Sequence, residues 1–348
     1  MISYIKKKKI KCTKSNKFNF FQTINYVHVI GHDISYNFIK KIKFSFNQVK
    51  IFESNIFGIK SNYEKFLNES WQLNKWNNFK YLLSGGEKNY SILPSPVNYE
   101  LLLNYKKKIK KIYRNPFSIL KVSQNSEGKW SKEIIEVFNK VYYKNKNINL
   151  TLVTPTKTII REIKKLSPEI KNKIKIIKKI KNTKEIYKLY LKSNIFLHLT
   201  QQGETFGYVF FEANFFDCRV VCNETPWADN SQVEILRELY SSKCLYNNNK
   251  SIVNSLEKLI LQKKNHFFKK KYEYKYSQKN ICRQAIKLMA SRKKNIQKFN
   301  KQDMYDLLSY SNKDLLSTFK SLFLKSIVYL FSIYSLVIFK KLKRLNLL

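Results

Sequence analysis

Two carboxylates stand eight residues apart in the stretch QQGETFGYVFFEANFFDCRVV, residues 201–221. Glu204 lies beside a glycine, whereas Glu212 sits in a run of apolar and aromatic residues that includes Phe206, Tyr208, Phe210, Phe211, Phe215 and Phe216. A segment hydrophobic on every side reads as a buried helix, and a carboxylate inside one is costly unless something pairs with it. Eight helical residues rise ~12 Å, beyond the ~5–9.5 Å that separates the paired carboxylates of a glycosidase. The spacing suits two carboxylates that grip different parts of one elongated ligand, with a phosphate between them at the helix start. A carboxylate accepts several hydrogen bonds at once, so the vicinal hydroxyls of a ribose or a sugar are fitting partners.

Glycine is scarce, seven in 348 residues, so the positions that keep it carry information. Gly203 and Gly207 bracket the start of the motif helix, and Gly128 immediately precedes Lys129. Glycine at a strand-to-helix turn lets backbone come close to a bound group. The amides of Phe206, Gly207 and Tyr208 are the expected unpaired donors of a helix N-terminus, which is an anion site.

The elements that must position these groups follow from the pattern around them. Strands are expected at 117–123, 148–154, 174–177, 194–200 and 219–223, with helices at 132–143, 157–166 and 183–191 and the motif helix after the fourth strand. Strands alternating with helices at this spacing build right-handed βαβ units and a doubly wound parallel sheet, with ligands at the carboxyl ends of its strands. Earlier in the chain, 24–30 and 48–54 read as strands with a poorly defined helix between them. Two prolines in ILPSPVN, residues 92–98, mark a boundary. The expected division is 1–97, a partial Rossmann-like domain; 98–265, the domain that carries the motif; and 266–348, a basic helical tail ending in an apolar helix.

Composition narrows the partners. The formal net charge is +43, and of 67 basic residues only seven are arginine. Base and phosphate recognition favours arginine's planar fork, and the aromatics here follow core helices, so no specific nucleic acid is expected. Lys, Asn, Ile, Phe and Tyr are residues of A/T-rich codons, which accounts for the profile without a polyanion partner. The excess still favours an anionic surface. Five scattered cysteines without a CxxC pair fit a reduced, cytoplasmic compartment. His28 and His32 lack the acidic residue of an HExxH pattern, and Cys218 with Cys222 lacks partners at ligand spacing, so no metal is expected. Residues 326–339 run 14 long without a charge, between Lys325 and KKLKR. That is short of the ~20 residues of a membrane span; it reads as a buried or interfacial helix, or as a span if extended to Leu322. Its basic flank suits an anionic membrane face, so peripheral contact with the cytosolic side of a membrane is expected.

The stretch GETFGYVFFEA resembles the Glu-x7-Glu signature of the retaining glycosyltransferases of family 4, which have the GT-B fold. TPWADNSQVEI is similar to the segment that follows it in that family, and SQNSEGKWSKEI to its basic donor-phosphate loop. The resemblance covers roughly residues 115–260. It implies that Glu204 contacts hydroxyls of the transferred sugar, that Glu212 holds the ribose, and that Lys129 neutralises the diphosphate with the amides at Phe206 and Gly207. Tyr208 belongs to the same donor-binding segment; Trp227 and Asn230 either line the nucleotide site or form a structural turn. The implied reaction is metal-independent and uses no cofactor: a nucleotide-diphosphate sugar is the substrate, and the acceptor is a glycan or a lipid-linked group, as in polysaccharide biosynthesis.

Some positions depart from the pattern. The family pairs its loop lysine with an earlier arginine, for which Lys121 is the best candidate here. The glycine and proline expected after the motif helix fall on Asp217 and Arg219. Glu53, Ser54 and Asn55 stand where a histidine often follows the second strand, leaving His28 as the acceptor-side candidate. The family's first strand and glycine-rich acceptor loop have no counterpart, so a shortened N-terminal domain is expected. The alternative reading is a catalytically inactive GT-B-like subunit that scaffolds another transferase.

Overall fold

A computed structural model describes residues 25–30, 35–86, 90–108, 117–180, 182–223, 231–240, 245–246, 248–262 and 270–291. The apolar stretch 322–339, Trp227, Asn230 and His32 lie outside the described residues.

The first sheet is parallel and runs in chain order: β1 (Tyr26–Ile30), β2 (Lys50–Asn55), β3 (Glu69–Gln72) and β4 (Tyr90–Ile92). Helix α1 (Tyr36–Ser45) links β1 to β2, and α2 (Lys75–Leu83) links β3 to β4. Both begin where a side chain satisfies an orphan amide: Ser35 accepts from the Phe38 N–H, and Asn74 from the Asn77 N–H. This sheet buries polar groups that satisfy one another. Glu53 is fully buried and accepts hydrogen bonds from the Tyr63 hydroxyl, at 2.8 Å, and the Ser70 hydroxyl, at 3.0 Å.

After α3 (Tyr99–Lys108) the chain builds a second parallel sheet from β5 (Phe117–Val122), β6 (Ile148–Val153), β7 (Ile174–Ile177), β8 (Ile195–His198), β9 (Arg219–Asn223) and β10 (Leu245–Tyr246). Its spatial order is β10-β9-β8-β5-β6-β7. Helices α4 (Glu133–Lys144), α5 (Lys157–Lys164), α6 (Pro168–Lys171), α7 (Thr183–Lys192), α8 (Tyr208–Phe215), α9 (Ser231–Tyr240) and α10 (Asn249–Gln262) alternate with these strands. Two apolar clusters flank the sheet. One gathers α3, α7, α8 and α9 through residues such as Leu102, Tyr190, Phe211 and Leu236; the other gathers α4, α5 and α10 through Phe138, Ile159 and Leu256.

Chain order reverses at one point in this sheet. β5 leads outward to β6 and β7, then β8 returns to the other side of β5 and leads outward to β9 and β10. The crevice at the carboxyl ends of two such strands is where an open α/β sheet receives its ligand. Beyond it, α11 (Lys270–Tyr276) and α12 (Gln278–Ala290) carry the chain back, and Ile281 and Ala285 of α12 pack with Phe52, Trp71 and Leu93 of the first sheet.

Candidate active site

Glu204 and Lys129 arrive at the reversal point on two loops that are hydrogen-bonded to each other. The Gly128 carbonyl accepts from the amides of Gln201, at 3.1 Å, and Gln202, at 2.9 Å. A Cβ on Gly128 would fall 2.1 Å from the Gln202 side chain, so the close approach of the loops uses the absence of a side chain there. The loop after β8 is fixed at its other contacts as well. Asn223 accepts from the Thr200 amide and donates to its carbonyl, and the Thr200 hydroxyl accepts from the Gly203 amide. The start of α9 holds the backbone of Glu204 at both polar groups: the Glu204 amide donates to Gln232 and its carbonyl accepts from the Ser231 amide. From the first sheet's side, Asn74 donates to the Thr205 carbonyl at 3.2 Å.

The Glu204 side chain lies between Lys129 and His198. Lys129 Nζ lies 3.0 Å from Oε2 and also donates to the Gly203 carbonyl at 2.7 Å. His198 Nε2 lies 3.1 Å from Oε1. Burial acts against ionisation of this carboxyl, but its interactions with His198 and then with Lys129 outweigh it and hold the pKa well down, at about 2. Behind His198, Lys121 is fully buried at the end of β5, with Nζ 3.3 Å from His198 Nδ1 and 5.4 Å from the Trp130 ring centroid. Burial lowers Lys121 to about 7 and His198 to about 4. Glu204 thus stays an acceptor with one face on the site, while the imidazole beside it stays neutral.

Glu212 lies along α8, which begins at Gly207. Gly207 adopts φ +77°, and a Cβ there would fall 2.5 Å from the Phe210 ring. Among the described residues no hydrogen bond takes up the amides of Phe206, Gly207 or Tyr208, so the amino end of α8 presents free donors. Phe206, Phe210 and Phe211 are core, and Tyr208 is 46% exposed on the helix's outer face. Tyr190 is the side chain that offsets the effect of burial on the Glu212 carboxyl, and no described lysine or arginine forms an ion pair with it. Burial pushes it up to about 7. At the other end of α8, Asp217 takes φ 58°, the left-handed conformation that ordinarily favours glycine, and pairs with Lys106 at 2.7 Å.

Glu204, Lys129 and the backbone at Gly207 lie close together at the start of α8. Lys121, expected beside the phosphates, stands behind His198 with no exposed surface. His28 lies in β1, where its Nε2 is 2.8 Å from the Ser54 hydroxyl and its ring packs 5.1 Å from Trp71. Burial lowers it to about 4, and its described contacts stay within the first sheet. His198, Gln232 and Asn223 were not singled out from the sequence. His198 had a signal: it is the lone polar residue in IFLHL, residues 195–199, on a strand running into the motif. Among the described residues no group of three His, Cys, Asp or Glu side chains could hold a metal, and no helix is long and apolar enough to cross a membrane.

The fold is an α/β protein with a carboxylate, a lysine and open helix amides at the reversal point of its second parallel sheet. Residues 104–279 match the family of glycosyl transferases group 1, and the chain belongs to it. Solved structures agree on a GT-B-like α/β fold. One, described as trehalose-6-phosphate from E. coli bound with UDP-2-fluoro glucose, is 10% identical with a TM-score of 0.53, over 68% of this chain and 65% of that one. The lipopolysaccharide outer core galactosyltransferase WaaB is 13% identical with a TM-score of 0.55, over 78% of this chain and 77% of that one. WaaG, a glycosyltransferase involved in lipopolysaccharide biosynthesis, is 12% identical with a TM-score of 0.50, over 74% of this chain and 82% of that one. The chain thus spans 65% of the first of these. No curated protein matches its sequence.

Proposed function

We propose that the chain is a retaining glycosyltransferase of family 4, which moves a sugar from a nucleoside-diphosphate donor to a glycan or lipid-linked acceptor without a metal. The observation that carries this reading is the Lys129–Glu204 pair beside the open amides of α8. The donor lies across the amino end of α8. Glu204, ionised with two oxygens that keep free lone pairs, accepts from hydroxyls of the transferred sugar. Glu212 accepts from the ribose hydroxyls. Lys129 and the amides at Phe206 and Gly207 receive the negative charge that grows on the diphosphate as its bond to the sugar breaks, and an acceptor hydroxyl attacks from the same face. Electrostatic stabilisation of the leaving phosphate is the main catalytic term. A basic surface at the cytosolic face of a membrane suits a lipid-linked acceptor.

The test is thermal. UDP or GDP raises the melting temperature of the purified protein, and Glu212→Ala removes the rise. No shift with any nucleotide or nucleotide sugar contradicts the reading. The anomeric configuration of the product, read by proton NMR, decides retention. Nucleotide binding with neither transfer nor slow donor hydrolysis assigns the chain instead to an inactive subunit.

A further inference from the structure

We propose that His198 and Lys121 are positioning residues: a buried, proton-ordered chain from Lys121 through His198 orients the Glu204 carboxylate for the donor sugar. The proposal rests on the donor-site reading of Glu204. It begins with donor and acceptor capacity. An ammonium has three donors and no acceptor, so when Lys121 is charged the Nδ1 it faces at 3.3 Å must be bare. The ring proton of a neutral imidazole is then on Nε2, the nitrogen 3.1 Å from Glu204 Oε1. The opposite tautomer would set N–H against ammonium and a lone pair against carboxylate, two repulsions between groups that are buried from bulk solvent.

Neutrality of the ring follows from where it sits. His198 is 1% exposed, and its ring packs 5.3 Å from Phe196 and 5.0 Å from Phe210. Glu204 is its acidic neighbour, and Lys121 and Lys129 both oppose a charge on it. Glu204 consequently stands between Lys129, which donates to Oε2 at 3.0 Å, and His198, whose Nε2 faces Oε1 at 3.1 Å, and the two contacts together set the plane of the carboxylate. Two of its roughly four lone-pair directions remain for ligand hydroxyls. The side chains of Glu204 and Lys129 are 16% and 23% exposed, so these two meet the ligand while Lys121 and His198 stand behind them.

The chain has a proton-linked signature. The groups facing Lys121 are His198, Glu204, Cys222, Lys129 and the Trp130 ring, and Lys121 titrates at about 7. A diphosphate brought to Lys129 adds negative charge close by, which favours the ammonium. Nucleotide binding at a pH about one unit above that value therefore takes up protons.

Two readouts test this. Imidazole nitrogen-15 NMR of the labelled protein, with the His198 signals assigned by their loss in His198→Gln, is expected to show the neutral Nε2–H tautomer near pH 6, where Lys121 is mostly charged and His198 is still neutral. A Nδ1–H tautomer or a charged ring there overturns the chain, whether or not any nucleotide binds. Titration calorimetry with UDP and with GDP near pH 8, in buffers of different ionisation enthalpy, gives the second. Wild type is expected to take up protons on binding; Lys121→Met, folded by circular dichroism, is expected to lose that uptake and roughly tenfold in affinity. His198→Gln, whose amide nitrogen still reaches Glu204, is expected to hold affinity within about threefold, and His198→Leu to lose roughly tenfold. Unchanged affinity and proton count in Lys121→Met overturn the positioning role. Absence of any binding by wild type overturns the donor-site reading instead, and the tautomer still decides the chain.

Discussion

Glu204 lies in the loop after β8 with His198 and Lys129 against its two oxygens, whereas Glu212 lies along α8 under the influence of Tyr190 and no described cation. The first is held at about 2 and the second is pushed up to about 7. Both are largely buried, so the difference comes from pairing. Glu204 is an acceptor at every physiological pH and presents a fixed charge. Glu212 is poised near neutrality, and a ligand that donates two hydroxyls to it draws it into its ionised form. In the proposed function, one end of the motif is organised before the donor arrives, and the other is completed by it.

The largest expected effect falls on the organised end. Lys129→Ala removes both the diphosphate's cation and a donor to Glu204, and is expected to lower kcat by about 10²–10³-fold with the melting temperature little changed. Equal loss from removing a surface lysine elsewhere would break the comparison. Next is the poised end. Glu212→Gln is expected to weaken UDP or GDP binding roughly tenfold, and to abolish a proton release that accompanies binding near pH 6. The same variant sharpens the stability argument. The folded-state pKa of Glu212 is raised from 4.5 to about 7, so the native state binds more protons than the unfolded one between these values and stability falls as pH rises through that window. Glu212→Gln is therefore expected to stabilise the ligand-free protein by about 1–3 kcal/mol at pH 8 and not at pH 4, read from melting curves. Glu204 has the reverse sign: its contribution is full above 4.5 and is lost as pH falls toward about 2.

Smaller effects test the frame that holds the two ends apart. Gly207→Ala places a Cβ 2.5 Å from the buried Phe210 ring at φ +77°, and is expected to destabilise by about 1–3 kcal/mol in urea unfolding. Asp217→Asn loses a partly exposed ion pair with Lys106 and keeps a residue tolerant of the left-handed conformation, so a change of no more than about 1 kcal/mol is expected.

The second sheet was legible because its strands are continuous apolar runs such as INLTLV and its helices repeat at helical spacing; each expected element from 117 to 223 lies within about two residues of its place. The first sheet was legible only at β1 and β2. β3 reads ESWQ, and Ser70 and Gln72 are buried there because they satisfy Glu53 and each other, which in sequence looks like a loop. Lys121 and His198 were hard to place for the same reason. A lysine in a strand of a lysine-rich chain carries no mark of burial, and the partner that makes its burial tolerable lies 77 residues away. Spacing within one segment exposed Glu204 and Glu212; contacts between segments, which spacing does not encode, supplied the rest of the site.

A crystal structure with UDP bound is the most direct measurement of the central claim. The diphosphate is expected at the amino end of α8 beside Lys129, with the ribose hydroxyls on Glu212 and Glu204 left facing the sugar. Nucleotide density elsewhere, with those three side chains untouched, would contradict it.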